Sequence, residues 1–307
     1  MKKYFYLAAA AITLVACNQK EMENDGVQEP KVINLTASIN SGEDVTRAKS
    51  TDALQDETFV VGKTIFVEAY EKNQTTAYTS GNYTTAAAGA LTGSLYYPGN
   101  NNNVDICAYY PSSISSGSTA FSVQADQSSE ANYQASDLMY ATKLTNKASG
   151  ETHNLTFNHA LTKIVVNVSY AANMITTGLT TSPAITDVKI NGTVQAAQLS
   201  NTNGVITASK ATATEPAAIT IMGTGMDNMG IIVPQEVAAG TFITLTYNSV
   251  PYTYSLPAAT TFQAGKVYTY ALTLSARGLE LSATTITNWT VETGEGANTG
   301  DSAGITI

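Results

Sequence analysis

The cysteine at position 17 has a context that predicts covalent lipid attachment. Two lysines follow the first methionine, an apolar run extends from residue 4 to residue 16, and Leu14-Val15-Ala16-Cys17 has the pattern of a lipobox. Such a start is a targeting segment rather than part of the fold. The apolar run is also shorter than the roughly 20 residues that a membrane-spanning helix needs. We therefore expect residues 1–16 to be a signal peptide and Cys17 to carry lipid; the alternative is a chance cysteine behind an ordinary secretory signal.

The other reactive side chains do not have the spacing of a catalytic or metal site. His153 and His159 are the only histidines, their spacing matches no zinc motif, and no cysteine pair accompanies them. Cys107 is the second of two cysteines, so a lipidated Cys17 leaves no disulfide within the chain. We expect no enzyme activity, no metal and no cofactor, a hydrogen-bonded structural role for His159, and a buried apolar role for Cys107.

The composition excludes nucleic acid as a partner and favours strands. The chain of 307 residues has a formal net charge of -9, and only 13% of its residues are charged, which is about half the usual share. Phosphate binding needs a basic footprint, which this chain lacks. Thr, Ser, Asn and Tyr must supply the polar surface instead. The length is sufficient for two domains with separate cores.

The first strand pattern precedes an exposed arginine. Four apolar residues alternate with polar ones and share one face: Ile33, Leu35, Ala37 and Ile39. This alternation predicts a strand with one side on a core. Residues 41–50 are small and polar without periodicity, which predicts an exposed loop. Arg47 lies in this loop, and Arg277 is the only other arginine.

The rest of the chain predicts short strands joined by turns, without a long helix. The strand candidates include 63–70, 95–98, 104–111, 155–170 and 266–275. In the last of these, four residues share one face: Tyr268, Tyr270, Leu272 and Leu274. Residues 171–184 resemble a connector between domains. Many strands at a spacing of about 8 to 12 residues predict an all-β protein made of sandwiches or barrels.

Several short motifs occur together in a fixed order along the chain. They are Asp137-Leu138-Met139-Tyr140-Ala141, Phe157-Asn158-His159-Ala160-Leu161-Thr162-Lys163-Ile164, Ile232-Val233-Pro234-Gln235, Phe262-Gln263-Ala264-Gly265-Lys266-Val267-Tyr268-Thr269-Tyr270 and Ile286-Thr287-Asn288-Trp289. With the lipobox and the Thr46-Arg47-Ala48 loop, this ordered set resembles the fimbrillin family of Bacteroidota, the major fimbrial subunit lipoproteins of type V pili. Each motif is weak alone, and the ordered set is specific.

The resemblance implies two transthyretin-like Greek-key β-sandwich domains in tandem, at residues 48–175 and 176–307. It also implies a precursor that the lipid on Cys17 holds in the outer membrane at the cell surface. A protease would cut between Arg47 and Ala48 and remove the propeptide 17–47 with its first strand. A strand from another copy or a related subunit would then fill the groove in the resulting fimbria.

Physical reasoning is consistent with this implied strand exchange. Loss of one strand exposes unpaired backbone groups and an apolar groove, which together are a template for another strand. A head-to-tail contact of this kind makes an open filament. From the residues alone, the alternative is that 33–39 is the permanent first strand of a monomer and Arg47 an ordinary loop residue.

The C-terminal end, about 286–307, contains the candidate donor residues. Apolar residues that suit a donor strand are Ile286, Trp289, Val291, Ala303, Ile305 and Ile307. Residues 292–301 between them are rich in Gly, Thr and Glu, which is typical of a linker. The alternative is a frayed terminus whose Trp289 packs on the second domain.

Three functions therefore remain open at this stage. The first is a structural fimbrial subunit that supports adhesion, and the second is a tip or anchor subunit of the same fimbria that binds a host or bacterial surface ligand. The third is a non-polymerising, glycan-binding surface lipoprotein. Glycan binding would need exposed aromatic platforms, for which Tyr96 with Tyr97 or Tyr252 with Tyr254 are the candidates.

Overall fold

The computed structural model describes residues 29–40, 58–172, 184–212, 214–223 and 225–289. The predicted signal peptide, the lipidated cysteine, the cleavage loop, most of the connector and the end of the chain lie outside these residues. Within them, no helix is both long and apolar enough to cross a membrane. The described part is mostly β, as the composition predicts.

Twenty-two strands, one short α-helix and the 3₁₀ turn Ala87–Gly89 make up the described elements. In chain order the strands are β1 Asn34–Ile39, β2 Thr64–Glu71, β3 Thr79–Thr85, β4 Leu91–Thr92, β5 Val104–Tyr110, β6 Ala120–Ser122, β7 Met139–Ala141, β8 Leu144–Lys147, β9 Thr152–His159, β10 Thr162–Tyr170, β11 Ile185–Thr193, β12 Ala196–Thr202, β13 Val205–Lys210, β14 Ala217–Thr220, β15 Met222–Gly223, β16 Asp227–Ile232, β17 Gln235–Val237, β18 Gly240–Tyr247, β19 Val250–Leu256, β20 Thr260–Phe262, β21 Lys266–Ser275 and β22 Gly278–Asn288. The helix α1 covers Glu130–Ala135, and Ser129 caps its N-terminus.

An eight-stranded sheet forms the N-terminal part, in the order β1-β9-β7-β5-β2-β3-β4 with β8 beside β5. The central strand β5 is buried on both sides. Its alternate residues Val104, Ile106 and Ala108 pack in a cluster with β1, β2 and β9. Cys107 and Tyr109 point to the opposite side and join a larger cluster with the C-terminal strands. The strand predicted at 104–111 is therefore confirmed over Val104–Tyr110.

Two further sheets pack against each other in the C-terminal part. Their orders are β15-β16-β10-β21-β22 and β14-β11-β18-β19. Aromatic rings join them across the core, with the Tyr270 centroid 5.4 Å from that of Phe242 and 5.9 Å from that of Tyr254. The strand predicted at 266–275 is confirmed, and the face with Tyr268, Tyr270, Leu272 and Leu274 is the buried one.

The segment 155–170 forms two strands in different sheets rather than one strand. Strand β9 pairs with β1 and β7 in the N-terminal sheet, whereas β10 pairs in parallel with β21 and antiparallel with β16. The change of sheet occurs at Ala160 and Leu161, which are buried apolar residues without a turn signal. The domain boundary at 175 stays a prediction, although β10 contributes its hydrogen bonds to the C-terminal sheet.

The structure differs from the prediction at two further places. Residues 95–98 form no strand, because only an isolated bridge joins Tyr96 to Val32. Of the 11-residue strand β22, the sequence analysis indicated only the part from Ile286 onward. Most of its side chains are exposed, so it lacks the buried alternation by which a strand is recognised.

Candidate functional site

The first strand closes the N-terminal sheet between its two ends. On one side, β1 pairs in parallel with β9, from Asn34 opposite Thr152 to Ile39 opposite Phe157. On the other side it meets the segment 89–97: the Ile33 amide donates to the Leu95 carbonyl at 2.8 Å, and Thr36 bridges Ala90. Removal of β1 would therefore leave unpaired backbone groups on both of its neighbours.

The predicted inward face of β1 is fully packed. The exposed fractions are 0% for Ile33, directly before the strand, and 3% for Leu35, 8% for Ala37 and 6% for Ile39 within it. These residues belong to the N-terminal hydrophobic cluster, together with buried residues of β2, β5 and β9. The groove that β1 occupies is thus apolar along its whole length.

The outer face of β1 is polar and is contacted by two asparagines of β9. The Thr36 hydroxyl donates to Asn154 at 3.2 Å, and the Asn154 amide donates to the Ser38 hydroxyl at 2.9 Å. The Asn40 amide group donates to Asn158 at 3.0 Å. These bonds are largely exposed, so they orient the strand more than they stabilise it.

The chain joins β1 to the rest of the described fold only through residues 41–57. Arg47 and Ala48 belong to this segment, which lies outside the described residues. One cut there would separate β1 from β2 without a break in any described element.

The predicted C-terminal donor residues divide into two groups. Ile286 lies in β22 opposite Tyr268 of β21 and is 44% exposed, whereas Trp289 is only 3% exposed. Val291, Ala303, Ile305 and Ile307 lie outside the described residues. The structure therefore places Ile286 and Trp289 in this chain's own sheet and core, and their donor role stays a prediction.

Trp289 packs on a buried histidine and aspartate pair. Its ring stacks on His159 with centroids 3.8 Å apart and an angle of 5° between the planes. The Nδ1 atom of His159 lies 2.8 Å from Oδ1 of Asp137, and both side chains are fully buried. The Lys163 ammonium lies 5.8 Å from the Trp289 ring centre. The structural role predicted for His159 is confirmed, and Asp137 is its partner.

The sequence predicted a structural role for His159 and singled out Trp289, but it did not predict that they lie together with Asp137. Asp137, His159 with Lys163, and Trp289 lie in three of the ordered motifs, and the fold brings them to one place. Their proximity depends on the pairing of β7 with β9 and on the end of β22. The order of the motifs along the chain was the available sequence signal, and it does not indicate which motifs lie close together in the fold.

The family match covers most of the chain. It extends over residues 46–289 and describes the family as fimbrillin-like. The chain belongs to the fimbrillin-like family. The match begins after β1 and ends at Trp289, the last residue that the structure describes.

Individual fimbrillin-like relatives agree with this membership. A protein of Bacteroides uniformis, provisionally named fimbrium subunit Fim1C, is 26% identical over 239 residues, which cover 73% of this chain and 74% of that protein. Crystal structures of two provisionally named cell adhesion proteins match the fold. The one from Bacteroides uniformis has a TM-score of 0.63 at 22% identity and covers 85% of this chain and 98% of its own. The one from Bacteroides ovatus has a TM-score of 0.65 at 18% identity and covers 86% and 100%.

Fimbrillin-like membership determines the general class of function. The family consists of structural and adhesion proteins, so this chain is not an enzyme. Membership also implies a location in cell-surface fimbriae and assembly with other fimbrial subunits. Among the described residues, no group of three or more His, Cys, Asp or Glu side chains is placed to hold a metal ion.

Neither tyrosine pair predicted for glycan binding forms an exposed platform in this fimbrillin-like fold. Tyr97 is buried, and its hydroxyl lies 2.9 Å from Nε2 of His153. Tyr254 is buried against Tyr270, and this burial raises its pKa. Tyr96 alone is well exposed, at 44%. Neither candidate pair is therefore a platform, because each pair places one ring in the core.

Cys107 is buried, as predicted. Its side chain faces the turn between β12 and β13, where a Cβ at Gly204 would lie 2.8 Å from its Sγ atom. Burial raises the pKa of the Cys107 thiol to about 11, so the reactive thiolate is scarce at neutral pH.

Proposed function

We propose that this chain is a structural subunit of a type V fimbria, exported as a lipoprotein precursor and polymerised by donor-strand exchange. In this proposal, lipid on Cys17 holds the precursor at the outer membrane, and β1 fills the groove until a protease cuts after Arg47. The mature subunit then begins at Ala48. A C-terminal strand of a neighbouring subunit replaces β1.

The position of β1 is the observation that carries this proposal. The strand closes a sheet between two edges, buries four apolar side chains, and has one covalent connection to the remaining fold. A strand with these properties can leave as a unit, and the edges that it leaves favour the addition of another strand. The family match, which begins at residue 46, leaves β1 outside the shared region.

The expected energy of the exchange is sufficient for a stable fibre contact. Two isoleucines such as Ile305 and Ile307 that each contribute about 1.5 to 3 kcal/mol, with about 0.8 kcal/mol from one alanine, give roughly 4 to 7 kcal/mol before the cost of ordering the strand. Ala303, Ile305 and Ile307 repeat the two-residue spacing of the buried β1 residues. Because Ile286 and Trp289 pack within their own chain, we propose that the donor segment lies beyond Trp289.

The domain arrangement belongs to the same proposal. We propose two transthyretin-like sandwich domains in tandem, 48–175 and 176–307, with β10 paired to strands of the second. This division is consistent with the two hydrophobic clusters, although the larger cluster also contains residues of β5.

Substitution of the loop arginine tests the proposal directly. The Arg47→Ala precursor should stay uncut and lipidated and should form no filaments, whereas Arg277→Ala should mature normally. Arg277 is the matched control because it is the only other arginine and is exposed in the described fold. N-terminal sequencing of sheared surface material and negative-stain images supply the readout.

The same experiment separates the alternative roles. Filaments built from intact Arg47→Ala precursor would contradict the exchange mechanism. An anchor subunit would retain Cys17 in assembled fimbriae of the unmodified strain, and immunogold label confined to fimbrial ends would indicate a tip subunit. A mature start at Ala48 with label along the whole fibre is the result expected for a structural subunit.

A further inference from the structure

The hydroxyl of Tyr83 contacts the main chain of β1. Tyr83 lies in β3 and is 1% exposed. Its hydroxyl donates to the Ile33 carbonyl at 2.8 Å and accepts from the Leu95 amide at 3.3 Å. The Ile33 amide in turn donates to the Leu95 carbonyl. The hydroxyl therefore lies at the junction of β1 and the segment beside it.

The ring of Tyr83 has room at this junction because residue 93 is a glycine. A Cβ at Gly93 would collide with the Tyr83 ring. The close approach of the ring to the backbone fixes where the hydroxyl points. The position of this donor is thus a property of the groove rather than of β1.

Gly89 makes a second main-chain approach to β1. It ends the 3₁₀ turn Ala87–Gly89 with a φ of +74°, and a Cβ there would lie 2.5 Å from the carbonyl oxygen of Ala37. Separations below 3.0 Å are essentially never seen for a Cβ. Any larger residue would push the turn away from the strand.

Both contacts read backbone carbonyls and not side chains. Ile33 and Ala37 have the same parity along the strand, so their carbonyls point to the same neighbour. A strand shifted by one residue would turn these carbonyls away, whereas a shift of two would restore them. The contacts therefore do not depend on the side chains of the strand in the groove. They allow only registers that differ by an even number of residues.

We propose that Tyr83 and Gly89 form a main-chain clamp that holds and registers whichever strand fills the groove. Both are positioning residues for the proposed strand exchange. The inference rests on that proposal only for the step in which a donor strand replaces β1 in the groove. When β1 leaves the groove, the Tyr83 hydroxyl loses the Ile33 carbonyl as its acceptor and can bond to water instead, so the net loss is that of one ordinary hydrogen bond. The clamp thus favours a strand that directs carbonyl groups at these two positions.

Release of β1 from the cut full-length chain tests the clamp. The precursor is cut after Arg47 by limited proteolysis, and a labelled synthetic peptide of residues 29–40 competes for the groove. Tyr83→Phe should release β1 about three- to tenfold faster, because one hydrogen bond is lost. Gly89→Ala should release it roughly tenfold faster or more, because overpacking displaces the turn.

Matched controls separate the clamp from general effects. Gly62→Ala has a similar positive φ of +85° but no atom within 4 Å of its Cβ, so it isolates backbone strain from contact with β1. Tyr78→Phe removes a neighbouring hydroxyl that donates to Tyr96 rather than to β1. Both should release β1 at nearly the unmodified rate. Equal release by all five proteins would overturn the clamp.

A second measurement covers the case in which cut chains unfold. Hydrogen exchange of the β1 amides in the uncut precursor should accelerate in Tyr83→Phe and Gly89→Ala and not in the two controls. Uniform exchange across the set would also count against the clamp. Both assays measure how β1 is held, so they can support the clamp even if a peptide of residues 296–307 does not bind to the groove. Failure of that peptide to bind would count against donor-strand exchange and not against the clamp.

Discussion

At the scale of single residues, the buried cluster of Asp137, His159 and Trp289 bears on two possible roles of the tryptophan, donor residue or core residue. A donor residue would be exposed in the unassembled precursor and buried only by a neighbouring subunit. Trp289 is instead stacked on His159 within its own chain, and its amide donates to the Gly265 carbonyl at 2.7 Å. This packing favours a role in stability.

Substitution of Trp289 in the precursor measures that role. Trp289→Ala should lower the free energy of unfolding by about 3 to 5 kcal/mol, because a large buried ring is lost. Ile286→Ala, at a position 44% exposed, should change it by less than about 0.5 kcal/mol. Urea unfolding of the monomeric precursor gives both values. A Trp289→Ala precursor of normal stability that no longer polymerises would instead indicate a donor residue.

At the scale of elements, local alternation predicted the strands whose faces differ in burial. The segment that became β1 alternates strictly, and in β21 the residues Tyr268, Tyr270, Leu272 and Leu274 share one buried face. Strand β22 was missed because both of its faces are largely exposed and it is rich in threonine. Helix α1 has only six residues, too few for a helical period to emerge.

The sequence predicted the strand that fills the groove but not the residues that form the groove. The sequence indicates that four residues of β1 face a core, and it does not indicate what covers them. The partner β9 is distant in sequence and runs parallel to β1, and the other neighbour, 89–97, pairs only through isolated bonds. Non-local pairings of this kind leave no periodic signal in either segment. The clamp residues Tyr83 and Gly89 were missed for the same reason.

The two faces of β1 give a prediction at the scale of this element. Leu35→Asp places an unpaired charge in the apolar groove and should destabilise the precursor by several kcal/mol. Thr36→Asp, on the outer face, loses one exposed hydrogen bond to Asn154 and should cost about 1 kcal/mol or less. Thermal unfolding of the precursors provides the comparison.

Cleavage should erase the difference between these two precursors. Both variants carry their substitution on the propeptide, so the mature subunits are identical from Ala48 onward. Any filaments that they form should therefore have the same stability. A persistent difference between assembled filaments would mean that β1 remains in the fibre, which contradicts the exchange mechanism.

At the scale of the whole molecule, the groove and the start of the C-terminal segment both lie beside β9. The groove follows one edge of this strand, and the C-terminal segment begins at its last residue. Strand β9 pairs with β1 along the groove, and its last residue, His159, stacks on Trp289, where the described chain ends. In a filament made by strand exchange, β9 would contact the strand received from one neighbour. The segment donated to the other neighbour would begin beside the end of β9.

Removal of residues 302–307 tests whether donation and reception are separate in this molecule. The truncated chain should fold normally, because both hydrophobic clusters lie within the described residues, and after cleavage it should accept a strand but donate none. Mixed with the intact subunit, it should shorten filaments in proportion to its share, as measured by electron microscopy. Thr306→Ala, which keeps the three apolar residues Ala303, Ile305 and Ile307, is the control and should leave filament length unchanged. Filaments of normal length at every mixing ratio would place the donor segment elsewhere in the chain.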